Sequence, residues 1–268
     1  NSRPDASPSR WVIDFGEMSE REASGFAAPW EHVYSTVRPE RITKNADKYP
    51  RMVNEWWKFW NSRPAMRQAI SALSEVLVIA RVSKTVMPLR VPTGQVFSDK
   101  LDVFATDSYS DQAVLSSSLH QMWTIRFGTT MRADAAYTPS TVFEPFPRPE
   151  ASDDLEEIGR MLDVERRKIM VKRQLGLTQL YNLANDPKLT DADDPDIAWI
   201  RALHVRLDEA VVAAYGWTDV ILCHGFHSYR RAMRWTIGAK ARDELLDRLV
   251  EENLRRAAEG VAGGIPVS

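Results

Sequence analysis

Arg81, Ser83, Lys84 and Arg90 follow closely on an apolar run, and their chemistry is that of holding a polyanion and bonding to polar edges. Lysine and arginine neutralise phosphates and set orientation; arginine, lysine, serine and threonine also hydrogen-bond base edges. Ordinary strand-end charges are the alternative reading of Arg81 and Lys84. Ser117 and His120 share a helical pattern with Thr124, on a face away from the stripe Leu115, Leu119, Met122 and Ile125. There they offer hydrogen bonds either to a ligand or to the interior of the domain. Between Arg38 and Arg67 stand eight cations, Lys44 and Arg51 among them, against Glu40, Asp47 and Glu55. That local excess favours phosphates on one face, or else it is a solvated helical surface.

No residue is assigned to catalysis and none to a metal. Asp14-Phe15-Gly16 spells a magnesium-binding triplet of kinases, but the loops that accompany it there are missing. Cys223, His224 and His227 resemble part of a metal site, yet zinc takes three or four protein ligands and nothing nearby completes the set. Glu156 and Glu157 diverge as neighbours on a helix, which suits a solvated face better than acid–base work. There is no GxxxxGK[ST] phosphate loop and no GxSxG elbow.

The elements that must position these residues follow from periodicity. Glu75–Ser83, which carries Arg81, reads as one strand buried on both faces, since Val76, Leu77, Val78, Ile79, Ala80 and Val82 are nearly continuous. Pro92-Thr93-Gly94 reads as a turn, with strands before it and at Val96–Phe97 and Leu101–Ala105. Asp111–Phe127 predicts a single helix bearing Ser117 and His120. Tyr137–Pro149, rich in proline, predicts an extended exit. Upstream, Trp11–Phe15 suggests a short strand, and Ser19 with Glu22 forms a capping box for a helix to about Phe26. Pro29 opens a helical piece in which Trp30, Val33, Tyr34 and Val37 share a face, and Pro64 opens another through Leu73. Trp56, Trp57, Phe59 and Trp60 are assigned to packing, with Trp57 and Trp60 facing inward.

From Glu150 onward the pattern is helical. Leu155, Ile158 and Leu162 begin one stripe; Asp194 and Pro195 start a helix that Gly216 ends; Leu246, Leu249, Val250 and Leu254 define a last one. Helices and strands mix without a βαβ rhythm, so the fold class is α+β: a small sheet with flanking helices, then a mostly helical C-terminal domain.

Composition sets outer bounds. Of 268 residues, 44% are hydrophobic and 27% charged, which fits a globular protein of one large or two small domains. The net charge of −2 gives no global support for binding nucleic acid. No apolar run approaches the ~20 residues of a membrane helix, so no membrane partner is expected. A single cysteine, Cys223, excludes an internal disulfide framework and fits a cytoplasmic protein. Because the sequence starts at Asn1 rather than methionine, a longer parent protein is expected.

The stretch LSSSLHQMWTIRFGTTMRADAAYTPSTVFEPFPRP, Leu115 to Pro149, resembles the end of the target-recognition domain of MmeI-like (type IIL) DNA adenine methyltransferases and restriction-modification enzymes. RWVIDFGEMSEREASGF near the start, VIARVSKTVMPLRVP at Val78–Pro92 and LDEAVVAAYGW at Leu207–Trp217 are similar to further segments of that family, in the same order. Prolines and serines mark residues 1–9 as a linker and the change of pattern sets a boundary near Arg148; with these, the resemblance implies a recognition domain at 10–148 and a helical C-terminal domain at 149–268. It implies double-stranded DNA as partner and a DNA face that includes Arg81, Ser83, Lys84, Arg90, Ser117, His120, Lys44 and Arg51.

The glycine-rich turn and the Asn-Pro-Pro-aromatic tetrapeptide of the family's methyltransferase half are not in this sequence; Asn185-Asp186-Pro187-Lys188 is the nearest string. The resemblance therefore implies no cofactor here, and S-adenosylmethionine bound by a methyltransferase domain elsewhere in the same polypeptide. A non-catalytic protein-interaction or scaffold module is the other reading.

Overall fold

A computed structural model describes residues 3–131, 134–229 and 232–260. The chain divides into two compact units, Pro8–Gln68 and the remainder.

In the smaller unit, helix α1 (Glu20–Ser24) opens on the expected box: Ser19 Oγ accepts the Glu22 N–H, and the Glu22 carboxylate accepts the Ser19 N–H at 2.7 Å. Helices α2 (Ala27–Thr36), α3 (Arg38–Arg41) and α4 (Pro50–Asn54) follow, and α5 (Pro64–Ala69) closes the unit. Phe15, Ala23, Val33 and Trp56 form its core, with Trp30 and Trp57 packed against it. Trp11–Phe15 forms no strand. The inward pair is also different from the expected one. At Glu55 the backbone leaves the helix (φ −122°, ψ 43°), so three-residue spacing no longer sets the facing: Trp56 is buried and Trp60 exposed.

In the larger unit, β1 (Glu75–Ala80) is the centre of an antiparallel sheet ordered β3-β1-β4, with β3 at Leu89–Pro92 and β4 at Leu101–Phe104. Val78 stands opposite Leu89 on one side and Val103 on the other, which explains its continuous apolar run. The strand expected to reach Ser83 stops at Ala80. Beyond Arg81, β2 (Val82–Ser83) joins a second sheet ordered β2-β6-β5, built with β5 (Thr129–Met131) and β6 (Asp134–Ala136). Val96–Phe97 is not a strand.

The helix expected over Asp111–Phe127 is two, α6 (Tyr109–Ser116) and α7 (Ser118–Phe127). Ser117 is extended (φ −72°, ψ 158°) and its hydroxyl caps the second helix by accepting the His120 N–H. The exit is not extended throughout: Pro139–Phe143 makes a π-helical turn, with Pro139 in the first turn, where its missing N–H is not needed.

Helix α8 (Asp153–Arg173) begins on Ser152 and lies so close to α6 that a Cβ at Gly159 would fall 2.0 Å from the Tyr109 carbonyl oxygen. Helices α9 (Leu177–Ala184), α10 (Pro195–Ala214, capped by Asp194) and α11 (Ala239–Glu259) complete the C-terminal half. That half is not all helical. Strands β7 (Gly225–Tyr229) and β8 (Ala232–Thr236) form a hairpin in which Phe226 faces Trp235, rings 5.1 Å apart. One buried cluster takes Leu77, Phe104, Leu119 and Phe143 from before Arg148 and Leu162, Leu207 and Leu249 from after it. The fold is α+β.

Candidate nucleic-acid interface

Arg81 sits where the β3-β1-β4 and β2-β6-β5 sheets meet. Its N–H donates to the Lys100 carbonyl at 3.0 Å and its own carbonyl accepts the Tyr137 N–H at 2.7 Å. Its Nε donates to Asp102 Oδ1 at 2.9 Å, and Asp102 is wholly buried in β4 while the Arg81 side chain is 46% exposed. Backbone and side chain are thus fixed, and the outer edge of the guanidinium faces water.

Two residues on, Ser83 is half-buried and its hydroxyl accepts the Thr85 N–H at 3.0 Å. Lys84 is exposed, and its carbonyl accepts from Arg234 Nη2 at 3.0 Å, which ties the β7–β8 hairpin to this turn. Lys84, Lys100 and Arg126 are exposed and have no carboxylate partner among the described residues. Arg234 is unusual: burial pushes its pKa down, its Nε has no hydrogen-bond partner, and it faces no acid among the described residues. A guanidinium stays protonated under such conditions, so its charge is left for an anion to meet. Sequence reasoning missed Lys100, Arg126 and Arg234. Arg126 stands in the last turn of α7 and Arg234 on the short, weakly patterned β7–β8 hairpin, and pairing with acids is not visible in a sequence.

Three expected interface residues lie inside the protein instead. Arg90 is 2% exposed; it donates to Gln112 Oε1 at 3.1 Å and the Asp107 carbonyl at 2.8 Å, and stacks 3.9 Å from the Tyr109 ring. Ser117 is fully buried and donates to the Val114 carbonyl at 2.7 Å. His120, equally buried, donates from Nδ1 to the Leu115 carbonyl at 2.9 Å, so Nε2 accepts the Tyr137 hydroxyl at 3.0 Å. Burial is the main reason its pKa falls to about 4. The physical reason is common to all three: each polar side chain is enclosed and held by hydrogen bonds within the fold, although Arg90 Nη2 has no hydrogen-bond partner.

Lys44 and Arg51 belong to the smaller unit. Lys44 pairs with Glu40 at 3.0 Å; Arg51 pairs with Glu17 at 2.9 Å and Glu55 at 3.1 Å. Glu17 and Asp14, from outside the basic run, fold back onto Arg51, Lys58 and Arg67, so part of the excess seen in sequence is neutralised. The Cys223 group does not converge either. His224 Nε2 donates to Asp208 at 2.9 Å and His227 Nε2 to the Cys223 carbonyl at 3.0 Å. Among the described residues no cluster of His, Cys, Asp and Glu could hold a metal, and no helix is long and apolar enough to cross a membrane.

No protein-family model matches the sequence, and no curated protein matches it. The fold is similar to that of part of MmeI, a type IIL restriction-modification enzyme whose structure was solved in complex with DNA. The match covers 90% of this chain with a TM-score of 0.58 at 15% identity, a likeness of fold. The chain spans 28% of the length of that enzyme's chain.

Proposed function

We propose that this chain is the DNA-sequence recognition part of a site-specific adenine DNA methyltransferase in a restriction-modification or phage-defence system. The observation that carries the reading is the fold likeness, over 90% of the chain, to an enzyme solved with DNA bound. Lys84 and Lys100, which have no carboxylate partner among the described residues and adjoin Arg234 and Arg81 through their carbonyls, agree with it. Phosphates would be met by these cations and base edges by the fixed guanidinium of Arg81. Methyl transfer, its S-adenosylmethionine and the extrusion of the target adenine belong, in this reading, to a methyltransferase domain elsewhere in the polypeptide. No step of that reaction is assigned to residues described above.

A second reading, a protein-interaction module, is favoured by one feature of residues 8–68. Trp11, Val12, Phe26, Tyr34, Ile42 and Trp60 are all exposed there, while Lys44, Arg51, Lys58 and Arg67 are paired with acids.

Titration of the protein as its gene encodes it with labelled duplexes, across a salt series, tests the first reading. Affinity should fall linearly with salt on logarithmic axes, by a slope of about −0.9 per phosphate contacted, and one sequence should compete better than random DNA. Salt-insensitive binding, or none, would instead favour the interaction module.

A further inference from the structure

We propose that Arg81 reads a guanine through the N7 and O6 acceptors of its major-groove edge, and that Asp102 is the positioning residue that holds the guanidinium for that contact. The inference rests on the recognition reading above and adds to it one base type and one residue pair.

The geometry is unlike that of a surface ion pair. Exposed pairs join two mobile side chains and contribute little. Here one partner, Asp102, is wholly buried in β4 directly opposite Ile79, and the other emerges at the sheet edge. Burying a carboxylate is costly unless donors meet it, and Arg81 Nε is a donor that meets Asp102. The backbone of Arg81 is pinned on both sides, by Lys100 and by Tyr137. Little freedom remains in the side chain once Nε is bound at 2.9 Å.

What remains for a ligand is the pair of Nη groups, which have no partner among the described residues. These donors lie in one plane at the spacing of guanine N7 and O6, the commonest specific contact between arginine and DNA. A phosphate would accept the same fork, but gripping a phosphate needs charge more than orientation. Lys84 and Lys100 supply charge nearby without any buried acid behind them. A fixed fork is a device for selectivity, because a guanidinium free to swing accepts a wrong base at less cost.

Selection from randomised duplexes, run with the encoded protein and its variants R81A, R81K and D102N, tests the assignment. The unsubstituted protein should select a site containing a guanine that R81A no longer prefers, with discrimination at that position falling about tenfold or more. R81K keeps the charge and loses the fork, so it should lose the same preference while binding random DNA with the same salt slope. D102N should weaken that preference alone. A site selected unchanged by R81A or R81K, or affinity lost equally at every sequence, overturns the reader. If R81K loses the preference and a folded D102N keeps it, Asp102 is not the positioning residue; circular dichroism and a urea midpoint show whether D102N is folded. Should D102N not fold, R81K alone decides the reader and the pair is rejected. An unsubstituted protein that selects no sequence overturns the recognition reading itself, which sets that failure apart from these.

Discussion

Asp208 on α10 caps a helix to which it does not belong: its Oδ1 accepts the backbone N–H of Ser118, ninety residues away, at 2.7 Å. Ser118 opens α7, where free N–H groups and the helix dipole favour a negative charge. The other carboxylate oxygen takes the His224 Nε2–H, and Thr236 Oγ1 lies 3.2 Å from Ser118 Oγ. The serine-rich start of α7 is therefore an anchor point for three distant segments. Asp208→Ala leaves a buried N–H and an imidazole unpaired, and should lower the unfolding free energy by about 3 kcal/mol. A urea titration reads this as a lower midpoint at unchanged slope; a midpoint within error of the parent would contradict it.

Two buried histidines set the response to mild acid. His120 and His204 both have their pKa pushed down to about 4, first by burial. Unfolded, each would titrate near 6.5. Between those values the unfolded chain binds protons that the native state refuses, so stability is present above the upper value and is lost as pH falls through the window. Each histidine contributes a loss of about 3 kcal/mol if the window is crossed in full. Urea midpoints measured from about pH 7.5 to about pH 4.5 should fall steadily, and less steeply for His120→Gln. Glu252, drawn to about 2 by Arg255 and Arg256, loses its stabilisation only below its ordinary value of 4.5, so it does not mask the upper part of the profile. A flat profile would mean these imidazoles are hydrated in solution.

The helix starts were legible because their signals are local. Ser19 with Glu22, and Asp194 before Pro195, both cap where the sequence says they should. The breaks were not legible. Nothing in the run from Glu75 to Ser83 announces that Arg81 leaves one sheet for another, since that depends on Lys100 and Tyr137 meeting it from elsewhere. Ser117 reads as a helix-interior residue until its neighbours show it capping. Arg81 and Lys84 were placed at the surface by their position after an apolar strand. Arg90 follows the same strand by only a few residues, yet Gln112 and Tyr109, some twenty residues on in sequence, draw it inward at 3.1 and 3.9 Å. Burial of a polar side chain is decided by its partners, and partners are non-local.

Gly159 is where α8 touches the start of α6. An added Cβ would meet the Tyr109 carbonyl oxygen at 2.0 Å and its carbon at 2.8 Å, both backbone atoms that cannot swing away. Alanine is the better helix former by about 1 kcal/mol, so an exposed site would gain from the change. Here the two helices must separate, and Gly159→Ala should cost on the order of 3 kcal/mol net. Thermal unfolding measures it; a raised melting temperature would mean that the helices are less closely apposed.

Arg90 separates a structural residue from a DNA contact. Its guanidinium joins β3 to the loop before α6 and stacks on Tyr109, and it is almost wholly enclosed. Arg90→Ala should destabilise the larger unit by about 3–5 kcal/mol through loss of packing and of buried hydrogen bonds. In protein that remains folded, at low temperature, the sequence selected from random duplexes should not change. A shifted base preference at preserved stability would put Arg90 back at the interface.

Lys84 and Lys44 give opposite outcomes in one experiment because one is unpaired and the other is not. Lys84 has no acid within reach among the described residues, while Lys44 already faces Glu40 at 3.0 Å. If Lys84 neutralises a phosphate, Lys84→Ala should reduce the slope of log affinity against log salt by about 0.9 and weaken binding alike at every sequence. Removing Lys44 frees Glu40, and the slope should stay as it was. Should Lys44→Ala flatten the slope and Lys84→Ala leave it, the phosphates lie against the smaller unit, and the cations around Arg81 serve some other end.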